Sequence, residues 1–264
     1  MEEPGDSLNR PILPYPGKQL VPGSKKHFLS SFEAVKGRYI YDLELSTGEM
    51  LYESKGGMGI TAEPHIFHIH NLMRMSYAES LIHEEFNTNF KGKWGPRKYY
   101  GLRMKVNHEL KNPSNRTFAR LYCLLACSGF RHKFDSYGNF KGEYFPHTLN
   151  TEDIKIYNKK IINSDFVLKQ GKFTSLSKNL ITQKSLIYIN VPFPCSKNYK
   201  DDIFEYFDFI NDQNLDFLVT AKIQHRGLLD VQLRSWAKKY GTFVHSQFKD
   251  DSFSSSDIFI FNNF

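Results

Sequence analysis

The sequence predicts an α/β fold with a mostly parallel sheet that ends in an antiparallel hairpin. Two observations in the second half of the chain predict it. Short apolar runs typical of buried strands alternate with amphipathic stretches typical of helices, which favours parallel strands joined by helices. Two further runs flank a short Ser/Asp-rich loop, as in a hairpin. The predicted order is strand 186–189, helix 201–211, strand 215–221, helix 228–240, and hairpin strands 243–248 and 258–262.

The first half of the chain opens the same sheet. Residues 38–45 (RYIYDLEL) read as a strand, and a turn follows at 46–48. A Gly-rich link through Gly56, Gly57 and Gly59 leads into a short strand over 60–62. Pro64 suits the first turn of an amphipathic helix that we expect to extend over 65–86.

Composition limits the classes of protein to consider. At 264 residues the chain can bury a substantial core, and its net charge of +7 favours a polyanionic partner, either nucleic acid or an acidic membrane. No apolar run has the length of a membrane span and no signal peptide is evident, so we expect a soluble, cytoplasmic protein without a membrane partner. Three cysteines without a CxxC pair fit a reducing compartment. Residues 1–14 are polar and Pro-rich, as in a flexible arm.

Residues 91–120 form a basic segment with nine cationic side chains against the single acid Glu109. Trp94, Tyr99 and Tyr100 are interleaved with the cations. A solvated face is the plain interpretation, whereas cations mixed with aromatic rings favour nucleic-acid binding through phosphates and bases. The candidate DNA-binding residues within the segment are Lys91, Lys93, Trp94, Arg97, Lys98, Arg103, Lys105 and Arg116.

A candidate catalytic site follows the strand at 186–189. Asn190, Val191, Pro192 and Phe193 place an amide, a backbone carbonyl and an aromatic ring where open α/β sheets bind their ligands. An amide oxygen and a carbonyl can each accept one N–H of an exocyclic amine, and an aromatic ring can stack on a flipped base. The plain alternative is a strand that ends in a proline turn.

The first strand and its turn suggest a nucleoside-cofactor site. Gly48 lies in the turn, and Glu63 follows the next strand, where an acid can accept hydrogen bonds from ribose hydroxyls. His65, His68 and His70 do not share one helical face, and no cysteine or carboxylate completes a ligand set, so no metal site is predicted.

Taken in order, these segments resemble the Dam-type adenine-specific DNA methyltransferases, including phage-encoded members. Tyr15-Pro-Gly17-Lys18 resembles the amino-terminal cofactor motif, and Glu44 to Glu49 lies where the family has its methyl-donor loop. The stretch 60–63 resembles the family's strand that ends in the ribose-binding acid, and 128–140 resembles its DNA-side GF…N…GF stretch. Residues 190–193 resemble the (D/N)PP(Y/F) motif. The stretches 233–240 and 257–262 resemble the family's last helix and last strand.

The resemblance implies a Rossmann-like class I methyltransferase fold. It assigns 15–65 and 150–264 to a catalytic domain and 66–149 to a helical, basic target-recognition insertion. It further implies S-adenosylmethionine as cofactor and double-stranded DNA as partner. Tyr15, Gly17, Lys18, Gly48 and Glu63 would bind the cofactor, and Lys133 would join the DNA-binding set.

Several positions depart from the family pattern. Asn190-Val191-Pro192-Phe193 lacks the first proline, and Glu49 stands where a glycine normally admits the cofactor. Lys133 and Asp135 replace an arginine and an asparagine. We therefore keep two hypotheses. The first is a DNA-binding pseudo-methyltransferase without a required cofactor, which acts on DNA or a protein partner as a scaffold. The alternative is an active enzyme that methylates the adenine amino group.

Overall fold

The computed structural model of the chain describes residues 10–11, 36–43, 45, 48, 51–52, 54–90, 95–127, 131–132, 134–144, 151–175, 185–191, 197–223, 235, 242–250 and 253–262. The chain divides into two compact units. The helical unit contains Met1–Gly17 and Glu63–Ser164, and the sheet unit contains Lys18–Ala62 and Asp165–Phe264. The larger segment of the helical unit, Glu63–Ser164, is thus an insertion within the sheet unit's sequence.

The sheet unit holds a seven-stranded sheet. Strand β1 (Arg10–Pro11) lies outside it and pairs in the helical unit with β4 (Arg131–His132), so part of the arm predicted over 1–14 is a strand. The sheet order is β5-β3-β2-β6-β7-β9-β8. Its strands are β2 (Tyr39–Asp42), β3 (Gly56–Thr61), β5 (Asp165–Gln170), β6 (Ser185–Val191), β7 (Asp216–Ile223), β8 (Thr242–Asp250) and β9 (Phe253–Asn262).

The strand directions confirm the predicted fold class. The five strands β5, β3, β2, β6 and β7 are parallel, β9 is antiparallel to β7, and β8 pairs antiparallel with β9. Counted along the chain within this sheet, the order is 3-2-1-4-5-7-6. A doubly wound 3-2-1-4-5 sheet that is completed by one reversed strand has the Rossmann-like class I methyltransferase topology. The order of elements reverses between β2 and β6, and this is the switch point of the sheet.

The glycine run at 56–59 belongs to β3, and the prediction of a Gly-rich link before a strand at 60–62 was wrong. Neighbouring backbones explain the glycines. A Cβ at Gly56 would lie 2.0 Å from the Asp165 carbonyl oxygen, and one at Gly57 would lie 1.9 Å from that of Ile40. Gly57 also has a φ of +142°, which side-chain-bearing residues rarely adopt. Here glycine permits close approach of three strands.

The sheet core is aliphatic and aromatic. Ile40, Leu186, Ile187, Phe217 and Leu218 are each fully buried. At the amino ends of the strands, the guanidinium of Arg38 pairs with the carboxylate of Asp216. Helix α6 (Lys197–Asp212) follows β6 and buries an aromatic–aliphatic stripe at Tyr206, Phe207 and Ile210. In the helix predicted over 228–240, only residue 235 is described, and it is helical.

The helical unit contains five described helices. Their bounds are α1 (Pro64–Met73), α2 (Ala78–Phe90), α3 (Pro96–Glu109), α4 (Asn115–Ala126) and α5 (Thr151–Ile162). The single helix predicted over 65–86 is therefore two helices. The break at 74–77 is held from outside, because the Asn158 amide donates to the carbonyl oxygens of Met73 (2.7 Å) and Met75 (3.1 Å).

Helix α3 is one of the elements that the sequence analysis did not predict, together with the helix at 151–162 and the strand at 165–170. Gly95-Pro96 is a recognisable start signal for α3. The helix buries Tyr99, Leu102 and Val106 at helical spacing. Helix α4 begins with a capping box in which Ser114 accepts from the Thr117 amide at 3.2 Å. Its Cys123 and the following Cys127, four residues apart, are both buried.

Candidate functional site

The switch point of the sheet unit is bounded by the chain that leaves β2. Asp42, the last residue of β2, is 2% exposed and pairs in register with Gly59 of β3 and Tyr188 of β6. Beyond it, the Leu43 amide donates to the Tyr188 carbonyl at 3.0 Å and the Leu45 amide to the Ile60 carbonyl at 2.7 Å. The chain therefore remains tied to both neighbouring strands at the point where this fold class binds ligands.

The predicted donor-loop glycine, Gly48, is buried and left-handed, with a φ of +72°. Its carbonyl accepts from the Tyr52 amide at 2.9 Å, which closes a helical turn at Leu51–Tyr52. Glycine is the residue best suited to this conformation. The arrangement is that of a strand, a tight turn and a helix start, and it provides a backbone frame for a nucleoside cofactor.

Aliphatic side chains fill the space beside this frame. A Cβ at Gly59 would lie 2.8 Å from a methyl of Leu45 and 2.9 Å from one of Leu51. Both leucines are buried, at 3% and 0% exposure. The two leucine side chains therefore pack against β3 beside Gly59, and this packing limits the approach of a ligand to the backbone there.

Glu63, the predicted ribose-binding acid, lies two residues beyond the end of β3. It is the N-cap of α1, where its Oε1 accepts from the His65 amide at 3.3 Å. Burial raises the pKa of its carboxyl, and the His65 hydrogen bond offsets only part of that effect. The helix start thus already uses one of the acceptors that a ribose would need.

Two of the four predicted catalytic residues lie at the same edge of the sheet. Asn190 and Val191 are the last two residues of β6, in register with Thr220 and Ala221 of β7. Asn190 lies two residues beyond Tyr188, the partner of Asp42. Pro192 and Phe193 lie outside the described residues, as do Tyr15, Gly17 and Lys18. Asp42 was absent from the predicted site, because the strand predicted over 38–45 placed it within the strand, whereas β2 ends at this residue.

The basic segment divides into two groups. Arg97, Lys98 and Lys105 are exposed on α3, and among the described residues no carboxylate forms an ion pair with them. Arg103 instead donates to the Gly142 carbonyl at 2.9 Å and lies 4.8 Å from the Tyr100 ring centroid. Lys91, Lys93, Trp94 and Lys133 lie outside the described residues.

Arg116 and Arg120 pair with a buried carboxylate. Glu85 on α2 is 1% exposed, and its carboxylate accepts from Arg116 at 2.7 Å and from Arg120 at 2.6 Å. Arg120 also reaches Glu109 of α3 at 2.7 Å. A carboxylate removed from water needs such partners. These two arginines therefore connect α2, α3 and α4, and no local pattern indicates this use of Arg116.

The turn at 134–144 presents an aromatic side chain. Phe134 and Phe140 form an antiparallel bridge and are buried, whereas Tyr137 at the tip is 89% exposed. Asp135 Oδ1 accepts from the amides of Tyr137 (3.0 Å) and Asn139 (2.9 Å). Burial acts to raise the Asp135 pKa, but these bonds, the Asn139 side chain and Lys141 outweigh it and lower the pKa to about 2.

Helix α3 anchors the same turn. Asn107 binds Phe140 twice, donating to its carbonyl at 3.1 Å and accepting from its amide at 2.8 Å. The Tyr99 hydroxyl donates to the Gly142 carbonyl at 3.0 Å. We refer to the turn 134–144 and the exposed side chains of α3 as the α3 surface.

A histidine on α1 contacts the turn. His65 Nε2 lies 2.9 Å from the Gly138 carbonyl, and because a carbonyl only accepts, that nitrogen carries the proton. Burial lowers the pKa of His65, and the Gly138 bond opposes it only partly. In the described part of the chain, no group of three or more His, Cys, Asp or Glu residues could hold a metal ion.

No helix among the described residues is long and apolar enough to cross a membrane.

No protein-family model and no curated protein match the chain. The solved structures that the chain resembles include the following two. The methyltransferase domain of bacterial CtHen1-CN is 9% identical, with a TM-score of 0.40, over 89% of this chain and 95% of that chain. A Listeria monocytogenes protein described as a class I S-adenosylmethionine-dependent methyltransferase is 9% identical, with a TM-score of 0.30, over 76% of this chain and 88% of that chain. These likenesses concern the fold alone.

Proposed function

We propose that the protein binds DNA through the α3 surface and that its methyltransferase-like sheet has a degenerate donor site. The observation that carries the proposal is the contrast within the basic segment. Arg103, Arg116 and Arg120 are engaged inside the helical unit, whereas Arg97, Lys98 and Lys105 are exposed without a carboxylate partner among the described residues. Exposed cations without carboxylate partners are available for phosphate contacts.

The donor site supports the second half of the proposal. Leu45 and Leu51 fill the space beside Gly59, and Glu63 caps α1. In the sequence, Glu49 adds a side chain and a negative charge to the same loop. The two leucines and Glu49 hinder the close approach of S-adenosylmethionine to the backbone. The N-cap hydrogen bond occupies part of the Glu63 carboxylate that the ribose would need.

Duplex affinity tests the DNA surface. In Lys98→Glu/Lys105→Glu, we expect affinity for a short duplex to fall at least about tenfold at low salt. The salt slope, which is the slope of log affinity against log salt concentration, should become shallower by nearly 2, because each phosphate that the variant no longer neutralises contributes about 0.9. Anisotropy titrations over a range of salt concentrations measure both quantities. Lys55→Glu/Lys159→Glu makes the same change in net charge at two exposed lysines outside α3 and is the matched control. Equal losses in both variants would assign the effect to net charge and remove the α3 surface from the proposal.

Cofactor affinity tests the donor site. Calorimetric titration with S-adenosylmethionine and S-adenosylhomocysteine is expected to give no binding up to about millimolar ligand, a free energy weaker than about −4 kcal/mol. Micromolar affinity would contradict a degenerate site and favour the alternative.

The alternative function is adenine methylation of DNA with S-adenosylmethionine as cofactor. Three observations favour it: the buried Asp42 at the switch point, the left-handed Gly48, and the position of Asn190 and Val191 at the end of β6. Asn190 would accept one N–H of the target amine, and the Val191 carbonyl would accept the other. Methyl transfer from labelled cofactor to DNA is then expected, and Asn190→Ala is expected to abolish it while leaving the melting temperature unchanged.

A further inference from the structure

The turn at 134–144 exposes the aromatic ring of Tyr137 on a backbone that hydrogen bonds fix. Tyr137 is 89% exposed, the largest exposure among the large hydrophobic side chains of the described residues. A single exposed tyrosine is ordinary on a protein surface. The distinguishing feature here is the amount of structure that fixes the backbone beneath it.

Hydrogen bonds at Asp135, Tyr137, Gly138 and Asn139 fix this backbone. Asp135 accepts from the amides of Tyr137 and Asn139, and the Gly138 amide donates to the Asp135 carbonyl at 2.9 Å. Gly138 has a φ of +78° and its carbonyl lies against His65. The base of the turn is bound by Tyr99, Arg103 and Asn107 of α3. The backbone beneath the ring is thus fixed before any ligand arrives, and little of its ordering entropy remains to be lost on binding.

The positive charge near the ring comes from α3. Lys141 is half exposed, but it lies 3.1 Å from Asp135 and its charge is balanced by that carboxylate. The Arg103 guanidinium is held at the base of the same turn, and α3 carries the exposed Arg97, Lys98 and Lys105. An aromatic ring on a rigid turn beside cations matches the chemistry of single-stranded nucleic acid, in which bases stack on rings and phosphates contact cations.

We propose that Tyr137 is a base-stacking residue and that the α3 surface binds single-stranded DNA, with its accessible base faces, more tightly than continuous duplex. This inference rests on the proposed DNA-binding function and adds to it the strandedness of the ligand. In a continuous duplex each base face is covered by its neighbours, and the ring would first have to unstack a base step, which costs free energy. An unpaired base offers its face directly.

The test uses a 12-nucleotide single strand with one 2-aminopurine and its fully paired duplex. Stacking on an aromatic ring quenches 2-aminopurine fluorescence, so the wild-type protein is expected to quench the single strand. Tyr137→Ala should lower single-strand affinity at least about fivefold, the smaller end of the range for one base–aromatic stack, and abolish the quenching. The salt slope should stay unchanged because no charge is removed.

Two control variants isolate the ring. Tyr137→Phe keeps the stacking surface and should bind as the wild type does. Tyr77→Ala removes another exposed tyrosine of the helical unit, 46% exposed, and should leave binding unchanged.

The outcomes separate this inference from the function on which it rests. If Tyr137→Ala binds the single strand as the wild type does, while Lys98→Glu/Lys105→Glu loses affinity, Tyr137 does not stack and the DNA-binding function stands. A preference for duplex over single strand would also overturn the inference. If the wild-type protein binds neither DNA even at low salt, the proposed function itself fails.

Discussion

At the residue scale, Glu63 has two possible uses with different consequences. As the N-cap of α1 it accepts a backbone hydrogen bond, and loss of such a cap costs about 1 kcal/mol. Glu63→Ala should therefore lower the free energy of unfolding by about that amount without any cofactor present. Denaturant titration measures it.

Glu63→Ser separates the cap from ribose binding. Serine is a favoured N-cap and should restore most of the stability that alanine removes, but its single hydroxyl cannot replace a carboxylate that holds ribose hydroxyls. A serine variant as unstable as Glu63→Ala would show that the cap is not the stabilising contact.

Asp135 gives a pH dependence of known sign. Its folded pKa, about 2, lies below the ordinary 3.8, so the ionised form stabilises the turn. That contribution is fully present above the ordinary pKa and is lost as pH falls through the folded value. The difference in melting temperature between wild type and Asp135→Asn should therefore be largest above about pH 4 and should shrink toward pH 2. A constant difference over this range would mean that the carboxylate charge contributes nothing to the turn.

At the element scale, glycines of two kinds should respond in opposite directions to alanine. Gly57 in β3 has a φ of +142° and a Cβ there would meet the backbone of Ile40, so Gly57→Ala should cost at least about 3 kcal/mol. Gly101 in α3 has open space around its Cβ position, and Gly101→Ala should stabilise by about 0.5–1 kcal/mol. Thermal unfolding of both variants checks the pair, and equal effects would contradict the assigned strand geometry.

The ion network on α2 makes a second prediction for elements. Arg120 is the closer partner of the buried Glu85 and its side chain is 17% exposed, whereas that of Arg116 is 48% exposed. Arg120→Met should cost about 3 kcal/mol because it leaves a buried carboxylate short of a partner. Arg116→Met should change stability little, since an exposed pair is screened by water. Urea unfolding of the two variants measures the contrast, and equal losses would place the two arginines in one environment.

Elements also show what local sequence can predict. The strands at 39–42, 185–191 and 216–223 and the terminal hairpin follow from short apolar runs, and the structure confirms them within a few residues. The glycines of β3 predicted a link because glycine most often marks a turn. Only the neighbouring strands show that glycine is needed there for close approach. The break after α1 depends on Asn158, which is distant in sequence. Long-range contacts of this kind leave no local pattern.

At the scale of the whole molecule, the structure confirms the fold class that the sequence predicted. The edge of the sheet where a ligand is expected to lie stays a prediction. The use of each side chain at that edge and on α3 could not be predicted. A cation that binds a buried carboxylate, such as Arg116, and an exposed cation, such as Lys98, are equivalent in composition. Only the groups that each cation contacts in the folded chain distinguish the two, and those contacts depend on packing.

The division into two units predicts how stability is distributed. Ile187→Val in the sheet unit and Val106→Ala in the helical unit each remove buried methyl groups, at a cost of about 1 kcal/mol or more. Each variant should accelerate amide hydrogen exchange mainly within its own unit. Exchange that rises equally in both units would indicate one cooperative structure.

The pairing of β3 with β5 has a consequence for the order of folding. Gly56 pairs with Asp165, so more than a hundred residues must be enclosed before these two strands meet. Contacts between elements so distant in sequence form slowly, because the entropy of closing the loop is lost before the strands gain their hydrogen bonds. The helices between them make contacts closer in sequence, and a compact helical unit shortens the loop that remains. During synthesis on the ribosome, the helices α1 to α5 also emerge before β5, so the inserted unit is in a position to fold first and bring the two strands together.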